Sequence, residues 1–123
     1  MAQHNITGHW GENAAHDYLT AAGYAIMERN WRLGHLEVDI IASRGNRIIF
    51  VEVKTRSTSL TDPAEAVNKA KQSRIAHAAD AYIRRYDIPL EAQFDIVTVI
   101  GNETSHTIEH IPDAFLPPLK TYI

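Results

Sequence analysis

Cysteine is absent from the 123 residues, which removes disulfides and thiolate metal sites from consideration. No apolar run approaches the roughly 18 residues that a membrane span requires. Met1 to Gly11 carries neither the basic stretch nor the apolar stretch of a secretory signal. A cytoplasmic protein is therefore expected. Repeats, low-complexity tracts and dividing linkers are also missing, so the expectation is a single domain over residues 1–123. No glycine-rich phosphate loop and no Ser/His/Asp arrangement stands out. The seven histidines are dispersed, and His106 and His110 lack HxH or HExxH spacing. They read as structural or surface residues.

Excess positive charge is lacking too. The net charge of −3 taken alone argues against a nucleic-acid partner. Its distribution says otherwise. Eleven of the twelve Lys and Arg residues lie between Arg29 and Arg85 against six Asp and Glu, a net +5 flanked by ends that together carry −8. Such an asymmetry can build a basic face on an acidic protein.

Periodicity sets out the elements. Ala14, Ala15, Tyr18, Leu19 and Ala22 predict a helix over Gly11 to Ala22, with Gly23 as its stop. Tyr24 to Trp31 reads as a first strand of imperfect alternation. Glu37 to Ala42 and Arg47 to Thr55 read as two further strands, joined by Ser43-Arg44-Gly45-Asn46 as a tight antiparallel hairpin. Asp62-Pro63 suits a short helical turn, and Asn68 suits the cap of a longer helix. That helix would carry an apolar stripe of Ile75, Ala78, Ala79, Tyr82, Ile83 and Tyr86, closed by Pro89. Phe94 to Ile100 and Thr104 to Ile111 complete the set, with Gly101-Asn102 as a turn between them. The order is α-β-β-β-α-β-β, an α/β arrangement around a mixed sheet.

Chemistry concentrates on the hairpin. Strand alternation puts Glu52 and Lys54 of Phe50-Val51-Glu52-Val53-Lys54 on one face. A two- or four-residue turn around Gly45 brings Glu37 and Asp39 to that same face. Crowded carboxylates repel and cost stability, and a divalent cation is the natural compensation. A hard cation held by Asp39, Glu52 and the Val53 carbonyl leaves positions for water and a phosphate oxygen, a geometry for phosphodiester hydrolysis. Lys54 would polarise the phosphate or orient the attacking water. Lys69, Lys71 and Arg74 around the helix start, and Arg56 further along the strand, are candidates for phosphate contacts. The alternative is an amphipathic hairpin with a solvated charged face.

Asp39 followed by Glu52-Val53-Lys54 resembles the PD-(D/E)XK motif of restriction-endonuclease-like nucleases, with Val38 where the motif has Pro. A closer resemblance covers nearly the whole chain. Gly8, Gly11-Glu12, Ala15, Gly23-Tyr24, Asn30-Trp31, Glu37-Val38-Asp39-Ile40-Ile41, Phe50 to Arg56, Lys71-Gln72, Phe94-Asp95-Ile96-Val97 and Ala114-Phe115 are similar to the landmarks of the uncharacterised bacterial YraN-like family, related to archaeal Holliday-junction resolvases. Leu36 stands where that family's pattern has Gly; the carboxylates are retained.

The resemblance implies a restriction-endonuclease-like α-β-β-β-α-β core and Mg²⁺- or Mn²⁺-dependent endonucleolytic hydrolysis of DNA, with branched DNA as one substrate class. It implies that Glu12 joins the metal site, that Gln72 supports it, and that two copies pair so that each acts on one strand. The rival expectation is a nucleic-acid-binding module that keeps this fold without turnover.

Overall fold

The computed structural model describes residues 2–57 and 67–116, with the side chains of residues 2–8 outside that description. The chain runs α1 (Ala2–Ala21), β1 (Ala25–Leu33), β2 (Leu36–Arg44), β3 (Arg47–Arg56), α2 (Lys69–Tyr86), β4 (Glu91–Gly101) and β5 (His106–Ile111). This is the element order expected from periodicity. The strands form one mixed sheet in the order β1-β2-β3-β4-β5. Every neighbouring pair is antiparallel except β3 and β4. A parallel pair cannot be joined by a hairpin, and α2 lies on the crossover between those two strands.

Alternation along β3 divides the core into two. Ile48 and Phe50 pack with Ile75, Ala76, Ala79 and Tyr82 of α2. Ile49 and Val51 point the other way and pack with Ala15 and Leu19 of α1. One helix thus covers each face of the sheet, and the central strand is apolar on both sides, as a covered parallel strand must be. Phe50 is fully buried between Tyr82 and Phe94. Truncating it to Ala is expected to cost about 3–5 kcal/mol.

Several boundaries differ from the sequence reading. Helix α1 begins at Ala2 rather than Gly11. Gly11 sits inside the helix, where a Cβ would collide with Thr55 of β3. Its glycine character serves close helix–sheet approach, not helix initiation. Gly23 does end the helix: with φ of 97° it lets its own N–H reach Thr20 O and the Tyr24 N–H reach Leu19 O.

Asn68 caps α2 as expected, its Oδ1 accepting the Lys71 N–H at 2.9 Å. Tyr86, counted in the apolar stripe, is 48% exposed, while Ala76 is buried. Asp87 adopts a left-handed φ of 52° immediately afterwards, so the helix ends before another turn can cover the ring. Strand β5 starts at His106 because the Asn102 side chain accepts the N–H groups of Thr104 and Ser105 and keeps them in the turn. The turn expected at Asp62-Pro63 lies outside the described residues. Among the described residues, no helix is long and apolar enough to cross a membrane.

The imperfect alternation of β1 has two causes. The register to β2 shifts between Ile26 and Glu28, and Asn30 takes a left-handed φ of 53° within the strand.

Candidate active site

The β2–β3 hairpin closes with Arg44 opposite Arg47, leaving Gly45-Asn46 as a two-residue turn. Gly45, with φ of 61°, supplies the positive φ that such turns need at their first position. The paired register runs from there to Ile40 opposite Val51. Beyond it the carboxylate of Asp39 accepts the Val53 N–H, Oδ2 to N at 2.8 Å. The N–H and C=O of one strand residue point to the same side. The Val53 carbonyl therefore also faces the β2 side.

Glu52 is buried, and Asp39 is half-buried beside it. Burial and then the charge of Glu52 push the Asp39 carboxyl up to about 7, with Glu12 adding to the rise. The Val53 N–H and the Lys71 ammonium act against that rise without cancelling it. Of the carboxylates expected to crowd on this face, Glu52 is the one that acts on Asp39.

Two ammonium groups address the same oxygen of Glu52. Lys71 Nζ lies 2.6 Å and Lys54 Nζ 3.9 Å from Oε2. Burial and then the neighbouring Lys71 charge lower the Lys54 pKa. Burial also acts to lower Lys71, but the hydrogen bond and charge of Glu52 outweigh it and hold that ammonium above its ordinary value.

The other expected site residues fall into three groups. Glu12 is buried and its Oε1 accepts both Arg29 Nη2 and Asn30 Nδ2 at 2.9 Å. The left-handed backbone at Asn30 breaks alternation so that both neighbours reach Glu12. Glu37 and Arg74 line a cleft of about 140 Å³ together with Asp39, Glu52, Lys71 and His35. Glu37 is exposed and lies 3.4 Å from Arg32. Gln72 donates from Nε2 to Val67 O at 3.0 Å, tying down the approach to α2, while Lys69 is exposed in its first turn. Arg56 continues β3, its Nε buried with no hydrogen-bond partner among the described residues.

Lys71 was expected to meet phosphates; its link to Glu52 depends on how α2 docks, which spacing along the chain does not reveal. Arg29 and Asn30 were not singled out as partners of Glu12, although Asn30 is a residue type that tolerates a left-handed φ. Pattern and spacing likewise assign no role to Asp95. It is fully buried and accepts from His110 Nε2 at 2.8 Å, the Asp113 N–H at 2.9 Å, Gln93 at 2.9 Å and Tyr24 at 3.2 Å. Burial opposes its ionisation, but those bonds prevail and lower its pKa.

The cleft is small beside the roughly 300–1,000 Å³ of organic-ligand pockets, and charged side chains dominate it. Its scale suits an ion with a phosphate group. Among the described residues, no three acidic or histidine side chains are gathered to hold a metal. The donors that fit a hard cation are therefore two carboxylates, Asp39 and Glu52, with the Val53 carbonyl. Mg²⁺ commonly binds through one or two carboxylates, keeping water and phosphate as its other ligands.

The fold and this acidic, lysine-flanked cleft define an α/β protein with a charged site at the centre of a mixed sheet. The chain belongs to the uncharacterised protein family UPF0102, whose profile matches residues 11–99. It is 51% identical to a UPF0102 protein of Bacteroides thetaiotaomicron over 120 residues, 97% of this chain and 99% of the relative. A UPF0102 protein of Bacteroides fragilis is 50% identical over the same shares. One from Nitratidesulfovibrio vulgaris is 44% identical over 113 residues, 90% of this chain and 84% of the relative. The resemblance to an uncharacterised bacterial family is thereby borne out, and the matched span includes every candidate site residue named above.

Proposed function

We propose that this protein is a nuclease with a restriction-endonuclease-like core that hydrolyses DNA phosphodiester bonds with Mg²⁺ or Mn²⁺. The carrying observation is the Asp39 carboxylate bonded to the Val53 N–H, next to Glu52 on the adjacent strand, with two lysines addressing the Glu52 carboxylate.

Asp39, Glu52 and the Val53 carbonyl would hold the cation, which supplies Lewis acidity toward the phosphate and acidifies a bound water. Glu12 adds negative potential at Asp39. Lys54 donates to the phosphate oxygen that gains charge in the transition state. Arg74, Lys69 and Arg56 meet flanking phosphates and position the strand without reading sequence. Gln72 holds the start of α2, and so the place of Lys71, through Val67 O. Endonucleolytic cutting, a preference for branched DNA, pairing of two copies and a cytoplasmic location complete the proposal.

A cleavage screen over linear, flapped and four-way DNA with Mg²⁺ or Mn²⁺ tests it, with Lys54→Ala as the control. Metal-dependent cutting that disappears in the variant supports the reading; no cutting of any substrate refutes it.

One observation favours a second reading, a nucleic-acid-binding module without turnover. Lys71 neutralises Glu52 and Arg29 neutralises Glu12 from within the chain. That reading expects DNA affinity independent of divalent metal.

A further inference from the structure

The geometry points to Lys71 as an exchangeable internal cation: its ammonium holds Glu52 while the site is free and passes to a backbone phosphate when a divalent cation and DNA bind together. This deepens the nuclease reading and rests on it. The consequence is that metal and DNA recruit one another.

Three observations carry the inference. The first is competition for one atom. Lys71 Nζ sits 2.6 Å from Glu52 Oε2, and a divalent cation on that carboxylate would need its oxygen at roughly 2.0–2.6 Å. Two positive groups cannot share that position without strong repulsion.

The second is that the backbone of Lys71 is held in place while its side chain keeps access to solvent. Asn68 Oδ1 accepts the Lys71 N–H at 2.9 Å, and Asn68 O accepts the Gln72 N–H at 2.9 Å. The Lys71 side chain retains one-third of its exposure, and its four-carbon stem can swing.

The third is a destination. Lys71 and Arg74 line the same cleft as Asp39 and Glu52. A phosphate entering there meets Arg74 and offers the displaced ammonium a new anion. Lys54, 3.9 Å from Glu52, is less committed to the carboxylate and is not the main competitor.

The test is calorimetric titration of the full chain with Mn²⁺, alone and with a short duplex made of cleavage-resistant phosphorothioate linkages. Wild type is compared with Lys71→Met and with Lys71→Gln, which removes the charge but retains a polar donor. Unfolding curves with chelator verify that each variant is folded; Lys71→Gln carries the test if Lys71→Met is not. Wild type should bind Mn²⁺ about tenfold more tightly with the duplex than without it. The variants should bind Mn²⁺ about tenfold more tightly than wild type without DNA and gain little from the duplex. Wild-type Mn²⁺ binding that the variants leave unchanged or weaken overturns the exchange and spares the nuclease reading. No Mn²⁺ binding by wild type, with or without duplex, overturns both. Charge-dependent exchange without any DNA cleavage supports the inference and removes turnover from the proposed function.

Discussion

Asp39 accepts the Val53 N–H at 2.8 Å, one residue beyond the Glu52 whose charge it must tolerate. One carboxylate therefore serves as a backbone acceptor within the sheet and as half of an acid pair. The first role fixes its position, and the second makes its ionisation costly.

That cost should appear in the pH dependence of the metal-free protein. The folded state holds the Asp39 proton up to about pH 7, whereas an ordinary aspartate releases it near 3.8. The folded chain thus binds the proton more tightly than the unfolded chain. The resulting stabilisation is complete below the ordinary value and is lost as pH rises toward about 7. Asp39→Asn keeps an oxygen for the Val53 N–H but removes the charge. It is expected to flatten the loss and to be more stable than wild type above that window by on the order of 1 kcal/mol. Denaturant unfolding with chelator across the window measures this; parallel wild-type and variant curves would contradict it.

Metal should stabilise wild type in proportion to its occupancy. Added Mg²⁺ or Mn²⁺ is expected to raise the wild-type Tm. Asp39→Asn and Glu52→Gln should lose most of that rise. An equal rise in all three proteins would move the cation away from this pair.

Lys54→Ala is expected to keep metal and DNA binding while cleavage falls by roughly 10²–10³-fold, because its donor acts chiefly on the charge that develops in the transition state. Single-turnover cleavage under saturating protein separates this from a binding defect. Undiminished single-turnover rates would remove Lys54 from the chemistry.

Arg74→Gln should weaken binding to all DNA sequences alike and reduce the slope of log affinity against log salt by about 1. Lys69→Gln should act in the same direction. An unchanged slope in both would route the DNA elsewhere on the surface.

Gly11→Ala introduces a Cβ against Thr55 and is expected to destabilise the fold by about 1–3 kcal/mol. Thr55→Ala removes the nearest obstructing oxygen and should recover part of that loss. A double-mutant cycle with no coupling would separate the helix–sheet contact from any effect of the substitution.

The acid pair was legible in the sequence because both of its determinants are local. Alternation decides the face of Glu52, and a turn centred on Gly45 sets the register of its partner strand. The element order was legible for the same reason: Ile48 to Val51 alternates between two cores, and Asn68 announces α2. What escaped depends on packing between distant elements. The apolar spacing carries the first helix back only to Gly11, and the contact with Thr55 that explains this glycine lies on a distant strand. Lys71 reaches Glu52, and Arg29 and Asn30 reach Glu12, through the way helices lie on the sheet. Asp95 is held by Tyr24 just before β1, by His110 of β5 and by Asp113 after it, partners distant in the chain.

The irregularity of β1 has an effect on association as well. β1 is one margin of the sheet, and a straight margin offers unpaired N–H and C=O groups to any incoming strand. Its register shift after Ile26 and the left-handed Asn30 interrupt that row twice within the strand. The distortion that directs Arg29 and Asn30 toward Glu12 thus also spoils β1 as a template for strand addition. Two copies that pair are consequently expected to meet through β5 or a helical face, leaving the β1 margin in water, and the aggregation hazard of an open sheet is reduced at the margin nearest Glu12.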